Sequence, residues 1–532
     1  LPQSTAFAQR HAIEHGVGTI QGFSMTVSPD ISAWTTRVRR LGVLTLLGLS
    51  GCTHVPSAQD AMAPLRAELS ERHPSVAMTL PDPADALQSR ISALPDLATA
   101  RALALRNDPQ LRQAIVALGI SETAWRDAHR PGNPSIAWLR HRGDGDWNGT
   151  QWNLSLGITD LLLLPQRTRL REREREQARA TLLAQVARTL SATDRAWYGW
   201  VGAQLAAEAS ELLAEAAQLS LELAERFQQA GNLPPVDLAI YRADAARAKV
   251  AMIDAKQIAI EFGHALRIQL GLADHDVVLP ASTFGLPHTP PDLAQLQALA
   301  RKFAPALQTA RNIHRQREAE LLLAQRSAWI GELEMEAEHE SRAGETTDTA
   351  IGLHWQIPLF EQGQSRRQRA RWRLQAAHTD LQTIEQQVMH QVAMSHQRLT
   401  ALAAQIQLYE TALLPALATA VAEQQKRQNY MLISVFDLLR ARRDQFEAAQ
   451  AYVASLSAYW QTLAALGASI GADLPDMPMP SATFDLAKLL GLGANTSAPL
   501  SQPMDHRHHH AQPAAVANPA PEAHTGHHHH ED

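Results

Sequence analysis

The chain has 532 residues, 19% of them charged, a formal net charge of −6 and a single cysteine. That length allows a large core or several domains. The modest net charge gives no sign of a nucleic-acid binder, and one cysteine excludes both an internal disulfide and a Cys-cluster metal site. Alanine, leucine, glutamine and arginine dominate, a helix-rich composition.

Residues 1–24 read as upstream translated sequence, and a signal peptide follows to residue 51. After Met25, Arg37, Arg39 and Arg40 form a basic n-region. Leu41 to Leu49 is a short apolar run, and Leu49-Ser50-Gly51-Cys52 closes it. The run is too short to remain in a bilayer as a spanning helix. L-S-G-C resembles the lipobox of bacterial lipoproteins, which implies a covalent lipid on Cys52 as the first mature residue. Thr53 after the cysteine implies the outer membrane rather than the inner. An ordinary secretory signal with a chance cysteine is the alternative. Residues 52–100 are then a lipidated N-terminal segment. No later apolar run reaches spanning length (Leu161–Leu164 is far too short), so a membrane-crossing mature chain would cross with strands.

Two units follow, 101–292 and 293–470. RFQQAGNLPPVDLAIYRADAARAKV from Arg226 aligns with KRQNYMLISVFDLLRARRDQFEAAQ from Lys426, placing Asp237 on Asp437, Leu238 on Leu438, Arg242 on Arg442 and Ala248 on Ala448. RNDPQLRQA (106–114) corresponds to KFAPALQTA (302–310), and WNLSLGITDLLLLPQR (152–167) to LHWQIPLFEQGQSR (353–366). An internal two-fold repeat is the economical reading. Each unit predicts a helix of about 30 residues (101–130, 293–328), two strands and a very long helix (161–230, 364–430). A turn and a return helix of about 35 residues close it (236–270, 434–468). The long helices reach roughly 100 Å, matched by the shorter and return helices stacked end to end. REREREQ (171–177) predicts a solvated face with i,i+3 ion pairs, and Pro415 predicts a bend or break.

Strands are expected near 134–142, 150–159, 331–340 and 349–358. In GELEMEAEHE (331–340), Glu332, Glu334, Glu336, Glu338 and Glu340 fall on one face of a strand and Leu333, Met335, Ala337 and His339 on the other. In the second strand Trp152, Leu154, Leu156 and Ile158 alternate with Gln151, Asn153, Ser155 and Gly157. In the fourth, Ile351, Leu353, Trp355 and Ile357 alternate with Gly352, His354 and Gln356. About ten residues suits a tilted spanning strand. GDGDWNG (143–149) and RAGETTD (342–348) read as hairpin loops, and Trp138, Trp147, Trp152 and Trp355 suit a lipid-facing or interfacial belt. Four strands cannot close a barrel around water, because open edges in lipid leave backbone groups unpaired. Three copies give twelve, with the glutamates facing the lumen.

The order and duplication of the turn blocks, I-P-L-F-x-x-G (357–363) and L-L-L-P-Q-R (162–167) over about 95–470 resemble the TolC-type outer-membrane efflux family. Within it they resemble the lipidated outer-membrane channels of RND tripartite pumps. The resemblance implies a mainly α homotrimer in which each protomer gives four strands to a twelve-stranded membrane β-barrel and long helices to a periplasmic α-helical barrel. Segments near 270–292 and 470–490 would form an equatorial collar, with 471–494 as its C-terminal part. The resemblance further implies a periplasmic adaptor docking at Gly231, Asn232, Leu233 and Pro234 and at Met431, Leu432, Ile433 and Ser434. Met431 departs from the glycine expected there. Asp437 would line the periplasmic aperture as a ring of three, while Arg440 replaces a second acidic position and would weaken or bridge that ring. A capping or first-turn role for Asp437 is the competing reading.

Residues 495–532 predict a disordered tail carrying His506, His508, His509, His510, His524, His527, His528, His529 and His530. Imidazole clusters bind Cu²⁺, Zn²⁺, Ni²⁺ or Co²⁺ loosely, with Met477, Met479 and Met504 near; an incidental tail and an expression tag are the other readings. With the resemblance of YMLISVFDLL (430–439) to metal-efflux members, this favours a passive channel, not an enzyme. It would export transition-metal cations, copper ahead of cobalt, zinc or cadmium, from a Gram-negative periplasm. A drug or solvent channel is the alternative within the family, and a structural coiled-coil envelope lipoprotein the alternative outside it. No Walker-type loop is present, and no H-E-x-x-H. No resident cofactor is expected; the driving force would come from an inner-membrane RND pump.

Overall fold

The protein is described by a computed structural model at residues 58–73, 80, 96–142, 149–272, 290–342 and 347–474. Cys52, the hairpin loops at 143–148 (with Trp147) and 343–346, most of the expected collar segments and the histidine tail lie outside the described residues. In chain order the elements are α1 (Ala58–Arg72), α2 (Leu97–Asn107), α3 (Pro109–Asp127), β1 (Ser135–His141), β2 (Gly149–Gly157), α4 (Ile158–Gln229) and α5 (Pro235–Gln269). Then come α6 (Leu293–Phe303), α7 (Pro305–Ile330), β3 (Glu332–Arg342), β4 (Asp348–Gln356), α8 (Gln364–Leu408), a π-helical turn (Tyr409–Leu413), α9 (Leu414–Asn429) and α10 (Val435–Ile470).

The expected 30-residue helices are each two helices. Both break at the residue before a proline, where clash with the proline ring disfavours the α conformation. Asp108 sits at ψ 114° and Ala304 at ψ 120°. The Asp108 side chain caps the new helix by accepting from the Gln110 amide at 2.7 Å. Each return helix ends against such a break. Asn107 Nδ2 donates to the Leu270 carbonyl (2.9 Å) at the end of α5. At the end of α10, Gly471 (φ 76°) lies so close to Phe303 O and Pro305 that a Cβ would stand 2.7 Å and 2.6 Å away. The shorter helices and the return helices therefore do stack end to end.

α4, 72 residues and roughly 110 Å long, is the rod to which the others attach. Near its start Arg175 reaches Glu122 of α3 (3.3 Å), and Asn312 of α7 donates to the Glu176 carbonyl (3.3 Å). Midway Ser191 donates to Ala464 O (2.9 Å) on α10. Towards its end Lys256 of α5 reaches Glu211 (2.7 Å) and Arg242 reaches Glu225 (3.2 Å). α8 packs on α7 and α10. The REREREQ face forms its i,i+3 pairs, Arg171–Glu174, Arg173–Glu176 and Arg175–Glu172, at 2.6–2.8 Å. Pro415 leaves the second long helix unbroken but widens it: the Leu414 amide donates to Tyr409 O, five residues back. That π turn accommodates a residue with no N–H and a bulky ring. Within that turn, Glu410 accepts the hydroxyl of buried Tyr452 at 2.6 Å.

The core lies where these junctions meet, with Trp197, Tyr198, Trp200, Val201, Tyr452, Leu456, Tyr459 and Trp460 among its buried members. Tyr198 stacks on Trp460 at 5.3 Å. The N-terminal segment is clasped there, with the Asp473 amide donating to Arg72 O and His73 Nδ1 2.8 Å from Asp473 Oδ1. Beside it Arg101 makes a two-pronged pair with Asp194 (2.6 and 2.7 Å), both side chains largely buried. Burial alone would lower the Arg101 guanidinium, but its bonds to Asp194 outweigh this and hold it above its ordinary value. Removing one member of such a pair strands a buried charge. Asp194→Ala is therefore expected to destabilise the protein by about 3–5 kcal/mol in denaturant unfolding; a loss below about 1 kcal/mol would contradict this account of the core.

Candidate functional site

Helix passes to strand at Gly331 (φ 64°), a close approach only glycine permits, since a Cβ there would lie 2.3 Å from Gln356 O. Thr159 at the start of α4 fixes the start of β3: its hydroxyl donates to Gly331 O (3.1 Å) and accepts from the Leu333 amide (2.7 Å). The strands form one antiparallel sheet in the order β1-β2-β3-β4, within two residues of the expected boundaries.

The register places all five glutamates on one face, in rows with polar or small neighbours. Leu139, Gln151, Glu340 and Asp348 form one row, and Ala137, Asn153, Glu338 and Ala350 the next. Ser135, Ser155, Glu336 and Gly352 follow, then Gly157, Glu334 and His354, then Glu332 and Gln356. Leu139 is the one large apolar side chain among these rows. The other face carries Ile136, Leu154, Ala337 and Ile351 in one row, Leu156, Met335 and Leu353 in the next, then Leu333 and Trp355. Trp138 and Trp152 pair across the sheet on this face, ring centroids 6.2 Å apart. Towards the hairpin loops it turns polar, at Arg140, Thr150, His339 and Thr349. Glu334, Glu336, Glu338 and Glu340 are half-buried, whereas Ile136, Trp138, Ile351, Leu353 and Trp355 are more than half exposed. The glutamates are not left bare of partners. Gln151 donates to Glu338, and Arg342 pairs with Glu340 at 2.9 Å. Those partners were missed from sequence; the alternation of β2 held the signal, because Gln151 and Asn153 must share a face opposite Trp152.

The other candidate region is the pair of helix-hairpin tips. Gly231 adopts φ 78°, its amide donating to Gln228 O (2.9 Å) and the Asn232 amide to Phe227 O (2.8 Å). Met431 adopts the same left-handed conformation, φ 59°. Its amide reaches Gln428 O (2.8 Å), and that of Leu432 reaches Arg427 O (2.9 Å). The departure from glycine thus leaves the turn intact. These two bonds close the helix C-terminus in each case. Leu233 and Ile433 turn partly inward, while Gly231, Asn232, Pro234, Met431, Leu432 and Ser434 are exposed. Tyr430, Met431 and Leu432, 71–93% exposed, make the second tip an apolar knob. The tips are joined by an aromatic cluster the sequence did not announce: Phe436 of α10 stacks on Tyr241 of α5 (4.6 Å) and meets Phe227 of α4 edge-on (5.8 Å).

Asp437 is exposed in the first turn of α10, and the capping oxygen there belongs to Ser434, which accepts from the Phe436 amide at 3.2 Å. Asp437 is therefore not the cap. Its charge is felt at Tyr241, whose hydroxyl is pushed up by burial and by Asp237, Asp437 and Asp244, with Arg440 opposing.

No family model matches the sequence, and no curated protein matches it. Solved structures do match. The transmembrane channel CusC is 17% identical, aligning 71% of this chain with 92% of its own at a TM-score of 0.58. The Campylobacter jejuni CmeC outer membrane channel is 17% identical, with 74% and 88% covered and a TM-score of 0.58. The Vibrio cholerae outer membrane protein VceC is 17% identical, with 71% and 96% covered and a TM-score of 0.59. The chain has their fold.

A β-carbon in the left-handed region costs about 1–2 kcal/mol. Amide exchange at the two closing amides reads that cost at each tip. Met431→Gly is expected to slow exchange at Leu432, and Gly231→Met to speed it at Asn232, each by about tenfold; no change in either would contradict the strain assigned to Met431.

Proposed function

We propose that the protein is the passive outer-membrane exit channel of a tripartite efflux system, assembled as a homotrimer. The observation that carries this reading is the two-faced sheet: an exposed apolar face, a glutamate face behind it, and an outer edge at β1 and at β4 that pairs with no described strand. Such a sheet is stable in lipid only if its edges pair with further copies, and three copies make twelve strands around a water-filled lumen. The fold shared with solved outer-membrane channels supports the same reading. A coiled-coil envelope lipoprotein has no use for that sheet and is disfavoured.

In this assembly Cys52 carries the lipid anchor and the long helices extend into the periplasm. The tips at Gly231–Pro234 and Met431–Ser434 dock an adaptor that links the channel to an inner-membrane RND pump. Asp437 lines the aperture, and the channel performs no chemistry. Its cargo is a transition-metal cation, copper foremost. Support comes from the carboxylates along the sheet and from the tail histidines, His506, His508, His509, His510, His524 and His527–His530, which would gather metal in the periplasm. Drug or solvent efflux is the second reading within the same fold.

Channel and cargo are tested in turn. In planar bilayers the protein is expected to conduct with cation preference, reduced several-fold when the five glutamates become glutamine. Absence of conductance sinks the channel, and unchanged selectivity sinks the lumenal placement of the glutamates. A deletion strain is expected to become copper-sensitive and to be rescued less well by a chain ending near Gly493. Sensitivity to solvents or drugs without sensitivity to metals would transfer the assignment to the second reading.

A further inference from the structure

Away from the sheet and the tips, two histidines from different helices meet where α7 runs antiparallel to α8. The rings of His314 and His378 have centroids 5.7 Å apart, with their planes 54° from parallel. Glu318, one turn along α7, has a carboxylate oxygen 3.8 Å from His314 Nδ1. His314 is half-buried and His378 exposed. An exposed imidazole adds little to a core, and two imidazolium rings at this distance would repel one another.

The separation does suit a shared cation. A metal–nitrogen bond of about 2.0–2.1 Å plus about 1.1 Å from nitrogen to ring centre puts each centroid about 3.2 Å from the ion. Two rings would then stand about 5.2 Å apart at a tetrahedral angle, and about 5.7 Å apart when the angle opens to about 126°. The observed spacing lies at the wide end of that range, and a small rotation of exposed His378 closes the difference. Glu318 stands on the Nδ1 side of His314 but at 3.8 Å makes no hydrogen bond to it, so it adds negative charge near the pair without fixing the ring. Among the described residues no three His, Cys, Asp or Glu side chains converge on a ready-made metal position, so the pair would act as a two-ligand chelate completed by water.

We propose that His314 and His378 together bind one divalent late first-row transition-metal ion per protomer, bridging α7 and α8. Neutral imidazole selects Cu²⁺, Ni²⁺ and Zn²⁺ over Mg²⁺ and Ca²⁺, and among these Cu²⁺ binds most tightly. The site needs only dissolved metal and does not depend on what the channel exports.

The test titrates Cu²⁺ into the full chain with the nine tail histidines replaced by asparagine, following heat and the copper EPR spectrum. The expected result is about one Cu²⁺ per protomer with two imidazole nitrogens coordinated. His378→Asn, at an exposed position that does not threaten folding, is expected to lower affinity about tenfold or more and leave one imidazole. His390→Asn, twelve residues and about 18 Å further along α8, is expected to change neither. Absence of stoichiometric binding would overturn the proposal, as would an affinity and a two-imidazole spectrum that survive His378→Asn.

Discussion

Among the described residues nothing pairs with the outer edge of β1 or of β4, yet the sheet they bound presents a face of isoleucine, leucine and tryptophan to its surroundings. Water would tolerate the edges but not the face, and hydrocarbon would tolerate the face but not the edges. Further sheet, supplied by other copies as proposed above, would satisfy both. The glutamates impose the same demand from the other side, since five carboxylates on one strand need water or partners. A closed ring of strands with a wet interior would give both faces an environment they can bear.

The helices transmit that demand downward. Because β2 runs directly into α4 and β4 is followed by α8, the spacing of the strands sets the spacing of the rods beneath them. The pre-proline breaks at Asp108 and Ala304 give the return helices α5 and α10 a ledge to stop against. The densest packing gathers at this level, where Tyr198 and Trp460 stack, Arg101 holds Asp194, and Asp473 ties down Arg72 and His73. Further down the contacts thin to an aromatic cluster around Phe436 and two tight turns. The molecule is thus best held in its middle, and its tips rest on a few side chains.

The parts of this design with a strict period were legible in the sequence. Alternation in GELEMEAEHE and around Trp152 placed the strands and their faces, because a strand that separates water from an apolar surroundings must change polarity at every residue. The long helices and the turns at Gly231 and Met431 were equally plain from their recurrence. What escaped lay in pairings between distant segments. Nothing local announces that Arg101 meets Asp194, that Tyr241 meets Phe436 across the tips, or that His314 meets His378. Pro109 and Pro305 were visible, but whether a proline breaks a helix, as these do, or widens it, as Pro415 does, depends on the packing around it. Asp437 was legible as a first-turn acid, while the cap itself went to the neighbouring Ser434.

The most direct test of the account is whether β1 of one copy lies beside β4 of another. In a Cys52→Ser background, single cysteines along Ser135–His141 are combined pairwise with cysteines along Asp348–Gln356, and the membrane-embedded protein is oxidised. Pairing of the edges predicts that a narrow set of combinations in one register yields covalent trimers on a denaturing gel. If every combination leaves only monomers, the sheet does not close with its copies and the account fails.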